Sequence, residues 1–357
     1  MTNAVFDTIR YPMQLNSEGY CGNAIIFVMY EFTETKRREG ALLECRNLEE
    51  FTRKLFLKPC VFMNATEGEI QMALNFIANP PEIRPSFIPE NIWQARILPN
   101  HKAILVAIVS HGNTNSFLTA DEKLFPDNKI DLYLNETYCP LMRGKPKIIF
   151  FNKCRTEAED VYETISTQPN TTSPVFDSNG MREHENNFND SSTFNDFIHI
   201  YSCSMGTSSL RSKITGSLIL SALPDEYELY GRDKEFRKFL QIFRTRMIIK
   251  VNKKVQNEPK FANVTQCITT EHDSLLGDIY FPQAGPMTGS DCESLEEMEV
   301  EHPVDLICPK ELWEISDPSD YAMDSEIMPK SNRLQFFRRI KMYVRRIFKL
   351  LGPKTRE

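Results

Sequence analysis

Two uninterrupted apolar runs, each ending in a residue capable of covalent or proton chemistry, constrain this chain more than any other feature. The first reads Ile104-Leu-Val-Ala-Ile-Val-Ser-His111-Gly112 and the second Lys147-Ile-Ile-Phe-Phe-Asn-Lys-Cys154-Arg155. Runs this short and this continuous predict strands buried on both faces, and such strands belong to parallel sheets covered by helices. Open parallel sheets carry their chemistry just beyond the carboxyl ends of the strands. His111 and Cys154 are therefore expected at one sheet edge, although far apart along the chain. A thiol beside an imidazole is a nucleophile with its base. Spacing alone leaves a second reading open, because free Cys is among the most buried residue types and a core Cys is commonly inert packing.

Around these runs, strands are expected at 23–29, 102–110, 147–153, 197–203 and 266–271, and helices at 43–57, 66–78, 216–224 and 233–255. The alternation predicts a layered α/β fold. With 357 residues and 41% hydrophobic content, the chain can bury one large core or two modest ones. No apolar run reaches the length of a membrane span, and the N-terminus lacks the basic and apolar pattern of a signal peptide. Nine Cys residues without Cys-x-x-Cys spacing argue against a disulfide framework and a zinc ribbon, and favour a reducing compartment. The histidines show no metal-ligand spacing, and His199, inside an apolar strand, reads as a satisfied core histidine.

Charge is segregated. Residues 156–196 carry nine acidic residues and one Arg among Asn, Ser and Thr, too little apolar surface to order the segment by itself. Residues 291–326 carry thirteen acids and one Lys, whereas 330–356 carry ten Lys or Arg and no acid. In the latter, Phe337, Ile340, Val344, Ile347, Phe348 and Leu351 recur at helical spacing. A basic amphipathic helix over 330–352 could lie on an anionic membrane, enter a calmodulin-like groove, or fold back on the acidic stretch before it.

Ser110-His111-Gly112, Cys139-Pro140, Gly144-Lys145-Pro146-Lys147 and Cys154-Arg155 occur in the order and spacing of the caspases, which carry a Gln-Ala-Cys-(Arg/Gln/Gly)-Gly pentapeptide downstream of a His. Here the pentapeptide is Asn152-Lys153-Cys154-Arg155-Thr156. Collinear matches continue outside it: Tyr11-Pro12-Met13, Gly19-Tyr20-Cys21, Arg38-Glu39-Gly40, Tyr201-Ser202, Gly206, Ser209-Leu210-Arg211, Gly216-Ser217, Val251–Val255 and Tyr280-Phe281-Pro282. The chain thus resembles the caspase family over residues 10–283.

The resemblance implies a caspase-like three-layer sandwich, a mostly parallel six-stranded sheet flanked by helices. It divides the chain into a large-subunit region (1–155), an acidic intersubunit linker (156–196), a small-subunit region (197–283), an acidic disordered tail (284–329) and the basic helix (330–352). It implies a cytoplasmic zymogen without a recruitment domain, an executioner-like endopeptidase of apoptosis, cut in the linker after Asp177 or Asp190. Cys154 would be the nucleophile, His111 the acid/base and Gly112, with Cys154, the oxyanion donor. Arg38 and Arg211 would clamp a substrate Asp, with Asn152, Ser110, Ser209 and Leu210 completing the substrate site. No cofactor or nucleic acid is implied. The partners would be protein substrates cut after Asp, and a second copy or another caspase in a dimer.

Four positions depart from the family pattern. Asn152 is one methylene shorter than Gln, Lys153 replaces Ala, and Leu210 replaces Trp. Thr156 replaces a Gly, which would strain the backbone if that position needs positive φ. These departures fit either a protease of altered specificity or a catalytically impaired homologue that binds and regulates an active caspase.

Overall fold

The computed structural model describes residues 9–156, 194–207, 209, 211–212, 216–257 and 267–283. The linker sites Asp177 and Asp190, Leu210, and the expected segments 284–329 and 330–352 lie outside these residues.

Strand β1 (Gly22–Val28) is buried along its whole length and pairs in parallel with both β2 (Leu57–Met63) and β3 (Ala103–Val109). β3 pairs in parallel with β6 (Lys147–Asn152), and β6 with β7 (Phe197–Tyr201); β10 (Thr269–Glu271) closes the sheet antiparallel to β7. The six-stranded order is β10-β7-β6-β3-β1-β2, so the two strands carrying the reactive residues are central and adjacent. Two small antiparallel pairs complete the strands: β4 (Ser116–Leu118) with β5 (Leu124–Pro126), and β8 (Arg211–Ser212) with β9 (Gly216–Ser217).

Side-chain alternation along continuous apolar strands produces two cores. Ile26, Leu105, Ala107, Ile148 and Phe150 face one way, against α1 (Ala41–Lys54), α5 (Leu218–Tyr230) and α6 (Phe236–Asn257). Ile25, Phe27, Val106, Ile108, Ile149 and Phe151 face the other, against α2 (Glu67–Ala78), α3 (Glu90–Gln94) and α4 (Asn128–Leu134). The expected three-layer α/β sandwich is the fold. Among the described residues no helix is long and apolar enough to cross a membrane.

Some boundaries differ from the sequence reading. The helix expected over 43–57 ends at Lys54, and Leu57 begins β2, a strand the periodicity missed. β2 lies at the sheet edge, where Pro59 withholds no ladder donor that a neighbour needs. The helix expected to stop at Pro224 runs to Tyr230, because Leu220, Leu223 and Tyr227 stay buried on both sides of the proline. Asp196, counted with the linker, directly precedes β7 and is packed against the sheet: it is buried, accepts from the Tyr11 hydroxyl, and its carbonyl takes the Lys147 N–H at 2.8 Å.

β1 and β3 approach closely at Gly22, whose register partner is Ala103. A Cβ at position 22 would stand 1.9 Å from the Ala103 carbonyl oxygen, and that oxygen is fixed in a buried strand. Gly22→Ala should therefore lower stability by more than about 3 kcal/mol, read as a fall in the urea midpoint. A variant as stable as the parent would show that the strands separate without penalty.

Candidate active site

The β3–β6 register carries the chain up to the two candidate residues. Val109 pairs with Asn152 and the Ser110 N–H donates to the Asn152 carbonyl at 3.3 Å, so the paired residues end two positions before His111 on one strand and two before Cys154 on the other. His111 and Cys154 are both half-buried. The His111 Nε2 lies 3.1 Å from the Lys36 carbonyl. A carbonyl can only accept, so Nε2 carries the hydrogen of the neutral ring and Nδ1 keeps the lone pair. The Phe32 ring packs on the imidazole with centroids 5.2 Å apart. Burial, with the nearby Arg38 and Arg211 charges, pushes the His111 pKa from its usual 6.5 down to about 3. The ring is thus neutral and available as a base.

Gly112 follows in a confined place. A Cβ there would lie 2.6 Å from the Ser116 carbonyl oxygen and 2.7 Å from Lys153 Cδ. Only a residue without a side chain fits the backbone so close to the nucleophile strand. Thr156 is not among the residues with positive φ, so the Gly-to-Thr departure carries no backbone strain. The residue after Cys154 is held firmly: Arg155 is buried, its guanidinium makes two bonds to Glu271 (2.6 and 2.9 Å) and stacks 3.9 Å over Tyr201.

The two expected cationic residues come together. Arg38 is buried, donating from Nη1 to the Ser110 carbonyl at 3.1 Å and from Nη2 to Glu44 Oε2 at 2.8 Å. Arg211 lies within electrostatic range of Arg38, Glu44 and Cys154, and burial followed by the Arg38 charge brings its pKa down to about 10. Among the described residues, Nε of Arg38 and Nη1 of Arg211 are buried without an acceptor. Buried guanidinium donors of this kind favour a carboxylate, which can receive two planar N–H groups together.

The residue that organises them, Glu44, was missed by the sequence reading. It is fully buried on α1. Oε2 accepts from Arg38 and, at 3.3 Å, from the Asn152 amide; Oε1 accepts the Ser217 N–H at 2.7 Å. Its one legible signal is a carboxylate inside the apolar stripe of Ala41, Cys45, Leu48 and Phe51. Asn152, read as a substrate contact, is fully buried with its amide turned to Glu44, so it acts on the pocket through that carboxylate. Ser110 is also buried; its carbonyl orients Arg38, while its hydroxyl donates to the Leu118 carbonyl. Ser209 is half-buried and takes a hydrogen bond from the Ser202 hydroxyl at 3.2 Å. His199 is the satisfied core histidine expected, 2.9 Å from Asp131. One carboxylate against two guanidinium groups leaves the pocket with a single positive charge, which suits one acidic side chain.

Comparison with known proteins agrees with this fold. A family model described as "Caspase domain" matches residues 91–278. Caspase-2 of Gallus gallus is 24% identical over 69% of this chain and 53% of its own length, so the chain spans about half of that relative. Caspase-1 of Spodoptera frugiperda is 26% identical over 65% of this chain and 71% of its own, and caspase drICE of Drosophila melanogaster is 24% identical over 70% and 67%. The crystal structure of caspase-1 from Spodoptera frugiperda superposes with a TM-score of 0.56 at 20% identity, covering 76% of this chain and 92% of that one.

Removing the buried counter-charge tests the pocket. Glu44→Gln keeps the shape but leaves two cations uncompensated, and should cost about 3–5 kcal/mol of stability in urea titration; a loss under about 1 kcal/mol would mean the carboxylate does not balance them. The His111 ring should give neutral-imidazole NMR shifts at pH 5. Because the unfolded chain takes up a proton near pH 6.5 that the folded chain refuses until about 3, this residue should make the fold less stable as pH falls through that window. Titration of the folded ring near 6.5 would contradict the burial argument.

Proposed function

The chain belongs to the caspase family, and on that premise we propose that it is a cysteine endopeptidase that cleaves after Asp through Cys154 and His111, acting in apoptosis. The observation that supports this reading is the β3–β6 register, whose last pair, Val109 and Asn152, stands two residues before His111 and Cys154, with Arg211 in electrostatic range of Cys154 and Arg38. In the reaction, the Cys154 sulfur attacks the scissile carbonyl and its proton passes to Nδ1 of His111. The resulting oxyanion is held by the N–H groups of Gly112 and Cys154. His111 returns the proton to the leaving amine as the C–N bond breaks, leaving a thioester. Water, deprotonated by the same ring, then hydrolyses it and restores the thiol.

Specificity follows from charge. The substrate carboxylate lies between Arg38 and Arg211, meeting the buried Nε and Nη1 donors. Its arrival offsets the one positive charge that Glu44 leaves on the two arginines, which after burial help hold His111 neutral, so the base gains proton affinity when the substrate is in place. The remaining expectations belong to the same reading: a cytoplasmic zymogen, a linker cut after Asp177 or Asp190, a dimer with itself or with another caspase, and a basic 330–352 segment that meets an anionic membrane or a calmodulin-like partner.

A second reading is a non-catalytic homologue that binds and regulates an active relative. The specific observation on its side is Asn152, whose amide serves Glu44 instead of the pocket. A fluorogenic peptide ending in Asp, offered to the purified chain and to Cys154→Ala, separates the two. The expected result is turnover by the parent alone, with Arg211→Met lowering kcat/KM roughly a hundredfold or more and an Asn-terminated peptide turned over no faster by the parent than by that variant. Equal signals from parent and Cys154→Ala would discard the endopeptidase.

A further inference from the structure

Resting on that reading, we infer that Lys153 is a positioning residue that holds the Gly112 oxyanion donor in register with Cys154. Lys153 is entirely buried and covalently precedes the nucleophile. Its stem runs beside Gly112, as the close approach of Cδ requires. Its ammonium then reaches three points on one hairpin: the Asn113 carbonyl at 2.5 Å, the Ser116 carbonyl at 3.1 Å and the Asp127 carboxylate at 2.9 Å. Asn113 and Ser116 flank the turn into β4, and Asp127 directly follows β5, so the contact closes the hairpin from both strands.

The turn itself is a closed unit. The Asn113 N–H donates to the Ser116 carbonyl at 3.0 Å, and the Asn113 side-chain oxygen accepts from the N–H groups of Asn115 and Ser116. Gly112 bridges Phe117 antiparallel, and the ladder bonds are made by the neighbours: Leu118 N–H to the His111 carbonyl at 2.9 Å, and Asn113 to Ser116. Gly112 therefore occupies a non-hydrogen-bonded position, and the ladder does not consume its N–H. What fixes that N–H relative to the sulfur is the join between the hairpin and the β6 end. Thr114 supplies part of the join through the Thr156 and Arg155 carbonyls. Lys153 supplies the part nearest Gly112.

Burying an ammonium is costly unless several acceptors surround it. The Lys153 ammonium has the Asn113 and Ser116 carbonyls as acceptors and forms an ion pair with Asp127, whose own pKa burial raises to about 6. A lysine that merely filled space here would bind nothing on the catalytic loop.

The test compares the full-length chain with Lys153→Met and with the double variant Lys153→Met/Asp127→Asn, in which no buried charge is stranded. Two quantities are read: kcat and KM on the Asp-terminated peptide, and amide hydrogen exchange over residues 112–118. The expected result for the double variant is a fall in kcat of roughly 10- to 100-fold, below the full loss of an oxyanion donor, with KM within about threefold of the parent, as a group acting only in the transition state demands. Exchange over 112–118 should quicken about tenfold while the rest of the sheet is unchanged. Unaltered exchange in that segment overturns the inference whatever the activity. An active parent whose kcat survives in the double variant also overturns it. A parent without Cys154-dependent turnover, but with quickened exchange in the variant, removes the endopeptidase reading and upholds the lysine as the clamp of this loop.

Discussion

The constraint on which the rest depends is the parallel register of β3 against β6. Side chains alternate between the two faces of a strand, so a slip of one residue would exchange Val106, Ile108 and Phe151 with the residues packed on the opposite core. Both faces are filled with large apolar groups, and neither can accept the other's set. The register is therefore fixed by two cores together, and it delivers His111 and Cys154 to the same edge of the sheet. Packing, more than any direct bond between them, brings these residues to one edge.

Just beyond that edge the balance of charge changes. Arg38, Arg211 and Glu44 are withdrawn from water, where each would be expensive alone. Glu44 offsets one guanidinium and ties α1 to Asn152 and to β9 through Ser217. Gly216 permits the approach, since a Cβ there would come 2.6 Å from Glu44 Cγ. The remaining positive charge is held in a frame too well packed to disperse it. Burial, and after it the same field, keeps the neighbouring imidazole neutral.

How much of this was legible in the sequence differs by residue. The strand runs ending at His111 and Cys154 were readable from apolar continuity alone, because a doubly buried strand leaves no other pattern. Arg38 and Arg211 were readable only through family resemblance; an isolated arginine has no signature of burial. Glu44 was hidden because a helical stripe is read for its apolar members, and the partners that justify a carboxylate there come from distant segments. Asn152 was legible as a pocket residue but not in its direction, since a strand position next to a bend gives no sign of which neighbour its amide will meet. β2 was missed because its start merges with the end of the α1 pattern and Pro59 argues against a strand anywhere but an edge. A lysine beside Cys154 can turn towards the thiol or towards a buried partner; the hairpin carbonyls and Asp127 decide for the second.

The pairing of β6 with β7 has one more consequence. These neighbours lie on opposite sides of residues 157–193 in the chain, yet they share a ladder, both cores, and the Lys147–Asp196 contact at their shared entrance. A nick anywhere in that interval would break a covalent thread without dividing the sheet. The two fragments would melt as one cooperative body and part only under denaturant.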